Sequence, residues 1–236
     1  MRNYIELNGI SSKDITGLLI QELPPISKPL IRTQIDEIDG RDGDVITKLG
    51  YSAYDKTLQI GLYGDFDIDQ VISFFNSEGQ VIFSNEPDKY YNYQILEQID
   101  FERLIRFRTA SVMMHVQPFK YSSVETTKTF NISGSTSVSI INNGNYVSKP
   151  IINITGTGTI NLSLNGNQIF VINMGTNAQI TIDTNLMEAY NPTNQNLVNR
   201  NITGNYDNFK LNMGTNTISW SGSITKIEIQ NYSRWI

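Results

Sequence analysis

Ile151-Ile152-Asn153-Ile154-Thr155-Gly156-Thr157-Gly158-Thr159-Ile160-Asn161-Leu162-Ser163-Leu164-Asn165-Gly166-Asn167 decides the fold class. Ile152 and Ile154 flank Asn153, and Ile160, Leu162 and Leu164 alternate with Asn161 and Ser163. A period of two sends the apolar side chains to one face of an extended chain and the polar ones to the other. Gly156-Thr157-Gly158 and Asn165-Gly166-Asn167 are turn signals, because glycine and asparagine tolerate positive φ. The stretch therefore predicts half-buried strands separated by tight turns.

The same pattern extends outward. Val138 and Ile140 alternate with serines, and Phe209, Leu211 and Met213 alternate with Lys210 and Asn212. Further turn signals stand at Asn143-Gly144-Asn145, Gly175-Thr176-Asn177 and Gly214-Thr215-Asn216. Short alternating strands with regularly spaced turns predict a β-sandwich. Met-Gly-Thr-Asn occurs twice, at Met174–Asn177 and Met213–Asn216, which is too few copies for a solenoid.

Composition changes near Tyr121-Ser122-Ser123-Val124-Glu125. Of the 111 residues beyond it, 21 are asparagine. Residues 1–125 carry 12 Lys+Arg against 19 Asp+Glu, a balance of −7; residues 126–236 carry 6 against 4, or +2. Two domains are predicted, 1–125 and 126–236. In the first, Asp14–Leu23, Leu30–Ile38, Lys56–Tyr63, Gln80–Ser84 and the run from Lys89 to Val116 read as strands. Asp100 reads as a turn between two of them. Ile31, Ile35 and Ile38 are the apolar positions of the second segment. Gly40-Arg41-Asp42-Gly43 is a turn. Ile68, Val71, Ile72 and Phe75 follow the i, i+3, i+4, i+7 spacing of a single helix, with Asp67 as N-cap and Gln70 as capping-box partner. The fold class is mainly β, with one α-helix in the N-terminal domain.

Several chemistries are excluded or unsupported. There is no cysteine, so disulfides, thiolate metal sites and cysteine nucleophiles are ruled out. There is one histidine, His115, so any Ser-His-Asp triad must use it, yet no G-x-S-x-G elbow supplies a nucleophile. Asp65, Asp67 and Asp69 resemble a calcium loop, but Gln70 stands where glycine is needed and Asn76 where glutamate is needed. Gly40–Gly43 lacks a phosphate-loop ending. The acidic first half argues against a phosphate-backbone interface. No apolar run is long enough to span a bilayer, and the N-terminus has no apolar signal core. The Asn-x-Thr sequons at Asn153 and Asn201 are expected by chance in so asparagine-rich a chain. No catalytic residue, cofactor or metal is assigned. Tyr190, Tyr206, Trp220 and Trp235 are the candidate ring contacts for a glycan, set against the simpler reading that polar residues coat the solvent face.

The order of short segments carries a resemblance. These are Ile5-Glu6-Leu7-Asn8-Gly9-Ile10 to Ile20, Gly40-Arg41-Asp42-Gly43-Asp44, Asp67–Phe75, Tyr90-Tyr91-Asn92-Tyr93, and Phe107 to Phe119-Lys120-Tyr121. Asn143-Gly144-Asn145, Lys149-Pro150, Ile152–Gly158, Ile182-Asp183 and Gly214-Thr215-Asn216 follow in the second half. The chain resembles the distal tail proteins of siphophages over nearly its whole length. It departs in reading Tyr-Tyr-Asn-Tyr at position 90, and it is too short for an inserted arm or extra carbohydrate module in the sandwich.

The resemblance implies a β-barrel-like N-terminal domain and a galectin-like C-terminal sandwich. It implies a homo-hexameric ring in the virion tail tip that joins the tail tube protein to the tail-tip hub protein. It implies outer domains that can hold receptor-binding proteins or other peripheral parts, and a lumen through which DNA passes without specific binding. The alternative function is a carbohydrate-binding module for host-surface glycans. Ring closure by an acidic domain needs cross-subunit partners, and the candidates are Arg32, Arg41, Asp42, Arg103, Arg106 and Arg108.

Overall fold

The computed structural model describes residues 2–236. Its contacts divide the chain into two compact units, one ending at Ser123 and one spanning Val124–Trp235.

The first unit contains β1 (Ile5–Leu7), β2 (Ile10–Ser11), β3 (Leu18–Glu22), β4 (Ile31–Asp36), β5 (Val45–Tyr51), β6 (Tyr54–Leu62), α1 (Ile68–Phe74), β7 (Glu78–Phe83), β8 (Lys89–Gln94), α2 (Phe101–Phe107) and β9 (Thr109–Ser122). Seven of these strands form a curled, half-barrel sheet in the order β2-β1-β7-β8-β9-β6-β3. Period-two burial fills its inner face with Leu58, Ile60, Phe83, Tyr91, Val112, Met114 and Val116. β4 and β5 stand apart as a two-stranded ribbon.

Helix α1 lies where its spacing predicts, and Asp67 Oδ1 caps the backbone amides of Asp69 and Gln70. The capping box does not form: Gln70 Oε1 accepts from the Thr16 amide instead. With only seven residues, α1 buries Val71 and Phe74 and leaves Ile72 exposed. The expectation of a single helix is corrected by α2. Asp100 is not a strand turn but its N-cap, accepting from the Arg103 amide at 2.8 Å. Leu104 is buried beneath it, and Arg108 ends it in the left-handed region at φ 59°.

The second unit contains β10 (Lys128–Asn131), β11 (Ser137–Asn142), β12 (Ile151–Leu164), β13 (Asn167–Asn173), β14 (Gln179–Asp183), β15 (Glu188–Tyr190), β16 (Ile202–Gly204) and β17 (Gly214–Gln230). The expected turn at Gly156-Thr157-Gly158 is instead a register irregularity inside the continuous β12. β12 pairs with β17 from Ile151↔Gln230 to Leu164↔Ile218. Near one end they are flanked by β10 and by β14-β15; near the other, by β11 and by β13-β16. Two sheets thus share two long strands, and both strands bend where the flanks change. A Cβ on Gly156 would stand 2.3 Å from Ser223 O, and one on Gly222 2.4 Å from Thr159 O. Glycine is required there because the strand backbones approach too closely for any side chain.

Ile152, Ile154, Ile180, Ile227 and Ile229 from one sheet pack in the same core as Ile160, Leu162, Phe170, Ile172 and Ile218 from the other. The architecture is mainly β, with a β-sandwich second unit as predicted. One segment differs: Phe209–Met213 is not a strand. Phe209 and Leu211 are buried in irregular chain, and Met213 is exposed. Tyr206–Asn208 is a short 3-10 turn that swings Phe209 inward, where it stacks on Phe170 at 5.8 Å.

Candidate assembly surface

The β4–β5 ribbon is a paired arm whose apolar face is exposed along most of its length, while Tyr51 at its base meets Phe119 edge-on at 5.7 Å. Ile35 pairs with Ile46 and Ile31 with Tyr51, while a bulge displaces Leu49. The alternation matches a core strand, yet Ile35 is 57%, Ile46 61% and Leu49 54% exposed. Leu30, Ile26 and Ile38 are also exposed. An isolated two-stranded ribbon is marginal in water, and a contiguous exposed apolar face marks an interaction surface.

The arm's tip is acidic. Asp36, Glu37, Asp39, Asp42 and Asp44 accompany Arg41 alone, a balance of −4. Gly40 and Gly43 have φ near +78°, so the tip reverses through two left-handed positions. Arg41 and Asp42 project from this turn and are exposed. Arg32 is exposed on β4, with a guanidinium nitrogen over Gly50.

The arm's root is held by buried charge. Asn85 Nδ2 donates to Pro24 O at 3.1 Å, Lys56 Nζ to Pro25 O at 2.7 Å, and Tyr54 Oη to Ser27 O at 3.5 Å. Lys56 is 3% exposed and lies among the Tyr54, Phe83 and Tyr91 rings, 5.1–5.7 Å from their centroids. Glu86 is the adjacent counter-ion. It accepts from Lys120 Nζ at 2.6 Å and from Tyr91 Oη at 2.8 Å. Desolvation lowers the Lys56 pKa to about 8, offset in part by Glu86 and reinforced by Lys120. Burial and the Glu86 carboxylate push the Tyr91 phenol well up. A lysine in a strand normally reads as solvent-facing, so sequence reasoning missed this cluster; the aromatic neighbours of Lys56 and Lys120 were its only signal.

The remaining predicted arginines sit on α2 and at its end. Arg103 and Arg106 are exposed, and Arg106 pairs with Glu102 at 3.0 Å across one helical turn. Arg108 covers the Phe66 ring, its guanidinium carbon 4.6 Å from the centroid. Phe107 is 69% exposed, and Ile105 is exposed beside it. Within the subunit the arm's Arg32 and Arg41 and the helix's Arg103 and Arg106 form no single cluster.

No catalytic constellation accompanies the histidine. His115 Nδ1 lies 2.7 Å from Asp55 Oδ1 in a shallow depression completed by Leu96, Glu97 and Met113. None of these lining residues offers a hydroxyl or thiol nucleophile. Among the described residues, no group of three or more His, Asp or Glu is arranged to hold a metal, and no helix is long and apolar enough to cross a membrane.

The candidate glycan rings are scattered. Trp220 is 7% exposed within the sandwich core, so its faces are covered by packing. Tyr206 is half-buried with its ring edge-on to Phe170 at 5.2 Å. Tyr190 is half-buried on β15 opposite Thr181. Trp235 is half-buried near the C-terminal end. The asparagines have structural work instead. Asn216 is fully buried and ties Asn212, Gly214 and Asn165 into one turn. Asn231 bonds to Glu125, Ile141 O and Ser233.

No protein-family model matches the sequence, and no curated protein matches it. Solved structures do. The crystal structure of the SPP1 Dit (gp 19.1) protein, described as a paradigm of the hub adsorption apparatus in phages infecting Gram-positive bacteria, superposes with a TM-score of 0.69. It covers 98% of this chain and 100% of its own, at 15% identity. The chain has the distal tail protein fold. A chain of the phage P2 baseplate in its activated conformation with calcium superposes with a TM-score of 0.55 at 10% identity, covering 98% of this chain and 97% of its own. At such low identity the likeness is one of fold.

Proposed function

We propose that this protein is a structural component of a phage or prophage tail tip, six copies of which close into a ring. The unit ending near residue 123 forms the ring, which connects the tail tube protein to the tail-tip hub protein. The sandwich beginning near residue 124 projects outward and anchors peripheral host-adsorption proteins. The protein resides in the virion and performs no catalysis; it holds no cofactor, and DNA passes along the lumen without specific contacts.

The observation that carries this reading is the uncovered arm. A ring needs heterologous contacts, in which one surface of each copy meets a different surface of the next. An amphipathic ribbon standing off a half-barrel provides such a surface. Burying the exposed half of an isoleucine or leucine contributes about 1 kcal/mol, so the arm's six exposed apolar side chains contribute on the order of 5 kcal/mol per interface. Each copy brings a balance of −7 over residues 1–125, so cross-subunit pairing must offset repulsion, and the lumen is neutral to acidic. The glycan-binding alternative is not favoured, because Trp220 and Tyr206 are committed to packing.

The test is negative-stain imaging of the full chain beside an Ile35→Ser/Ile46→Ser variant. Six-fold rings for the parent and none for the variant support the reading. Rings that persist in the variant remove the arm from the interface.

A further inference from the structure

The acidic arm tip and the α2 face differ in sign, and both expose apolar side chains. The tip sets Ile35, Ile38 and Ile46 beside Asp36, Glu37, Asp39, Asp42 and Asp44. On α2, Phe107 is exposed beside Arg103 and Arg106. Arg103 and Phe107 are one helical turn apart and share a side of the helix. Arg106 pairs with Glu102, with the two side chains 70% and 75% exposed, and so exposed a pair contributes little and can exchange partners.

We propose that the arm tip of one copy docks on the exposed face of α2 in the next copy. Ile35 and Ile46 cover Phe107, while the tip carboxylates pair with Arg103 and Arg106. This names the receiving surface for the arm and rests on the ring reading above. The contact is heterologous, since the tip and α2 are different surfaces of one chain, so it propagates around a ring rather than closing a dimer. The two apolar patches lose water together, and the charges around them fix register and reject misaligned docking. Of the arginines suggested by the sequence, Arg103 and Arg106 meet the neighbour's tip, while Arg41 sits within the tip and remains at the rim.

Charge reversal of the full chain tests this. Asp42→Lys/Asp44→Lys reverses part of the tip, Arg103→Glu/Arg106→Glu reverses α2, and a third variant carries all four changes. Light scattering across a dilution series gives the assembly constant, and a thermal melt checks that each monomer is folded. Each double variant should lose at least tenfold in assembly constant, and the fourfold variant should regain most of it. Doubles that assemble within twofold of the parent overturn the docking and leave the ring reading intact. Doubles that lose assembly without recovery in the fourfold variant overturn the tip–helix pairing. A parent that stays monomeric to its solubility limit overturns the ring reading and the docking with it.

Discussion

Replacing Glu86 with glutamine keeps the side-chain shape and removes one charge at the arm's root. In the parent, a buried carboxylate faces two buried ammoniums, Lys120 at 7% and Lys56 at 3% exposure. Glu86→Gln leaves both cations without a counter-ion and weakens the 2.6 Å bond from Lys120 and the 2.8 Å bond from Tyr91. Removing one partner of a buried ion pair costs about 3–5 kcal/mol, a large part of a domain's ~5–15 kcal/mol stability. Neither tryptophan lies in this unit, so hydrogen exchange read segment by segment is the suitable assay. Protection of β8 and β9 amides should fall on the order of 10²- to 10⁴-fold. Adding Lys120→Met to Glu86→Gln restores the parent's cluster charge of +1, so the double variant should recover part of the loss, a non-additive result. A fall of less than tenfold in the single variant, or strict additivity in the double, would refute the claim that Glu86 neutralises a buried cationic cluster.

The same cluster gives a pH signature. Lys56 titrates near pH 8 when folded and near its ordinary 10.5 when unfolded, so between those values the unfolded chain holds the extra proton and stability rises with pH. Above about pH 10 the raised tyrosines, Tyr91 and Tyr93, reverse the slope, because the unfolded phenols ionise first. Chemical denaturation from pH 7 to 11 should show that rise and fall, and Lys56→Met should abolish only the rise. In the sandwich, Asn216→Ala removes four hydrogen bonds from a fully buried amide and should lower stability by about 3 kcal/mol, read from the Trp220 fluorescence midpoint. Limited proteolysis should cut first between residues 121 and 128 and leave two resistant pieces; initial cleavage inside β12 or β17 would contradict that boundary.

Much of this fold is legible in residue periodicity, and the failures have physical causes. Ile152, Ile154, Ile160, Leu162 and Leu164 reveal a buried sheet face because alternation is local. Gly156-Thr157-Gly158 misleads because a bent strand and a hairpin turn use the same permissive residues. Only the close approach of Ser223 and Ile224 separates the two. Asp100 misleads in the same way, since an N-cap and a turn both favour aspartate; the Glu102–Arg106 spacing was the available sign of a helix. The arm is the most instructive case. Ile31 and Ile35 alternate as core residues do, and sequence cannot say whether the covering surface belongs to the same copy. Trp220 reads as a glycan platform until packing covers it. The buried Lys56–Glu86–Lys120 cluster is not legible, because a lysine in a strand reads as solvent-facing.

The central claim is that six copies of this chain close into a ring. Native mass spectrometry of the full chain tests it most directly, because it counts subunits without reference to shape. The expected dominant species has six times the 26.7 kDa chain mass. A monomer or an isologous dimer as the largest species at high protein concentration would contradict it.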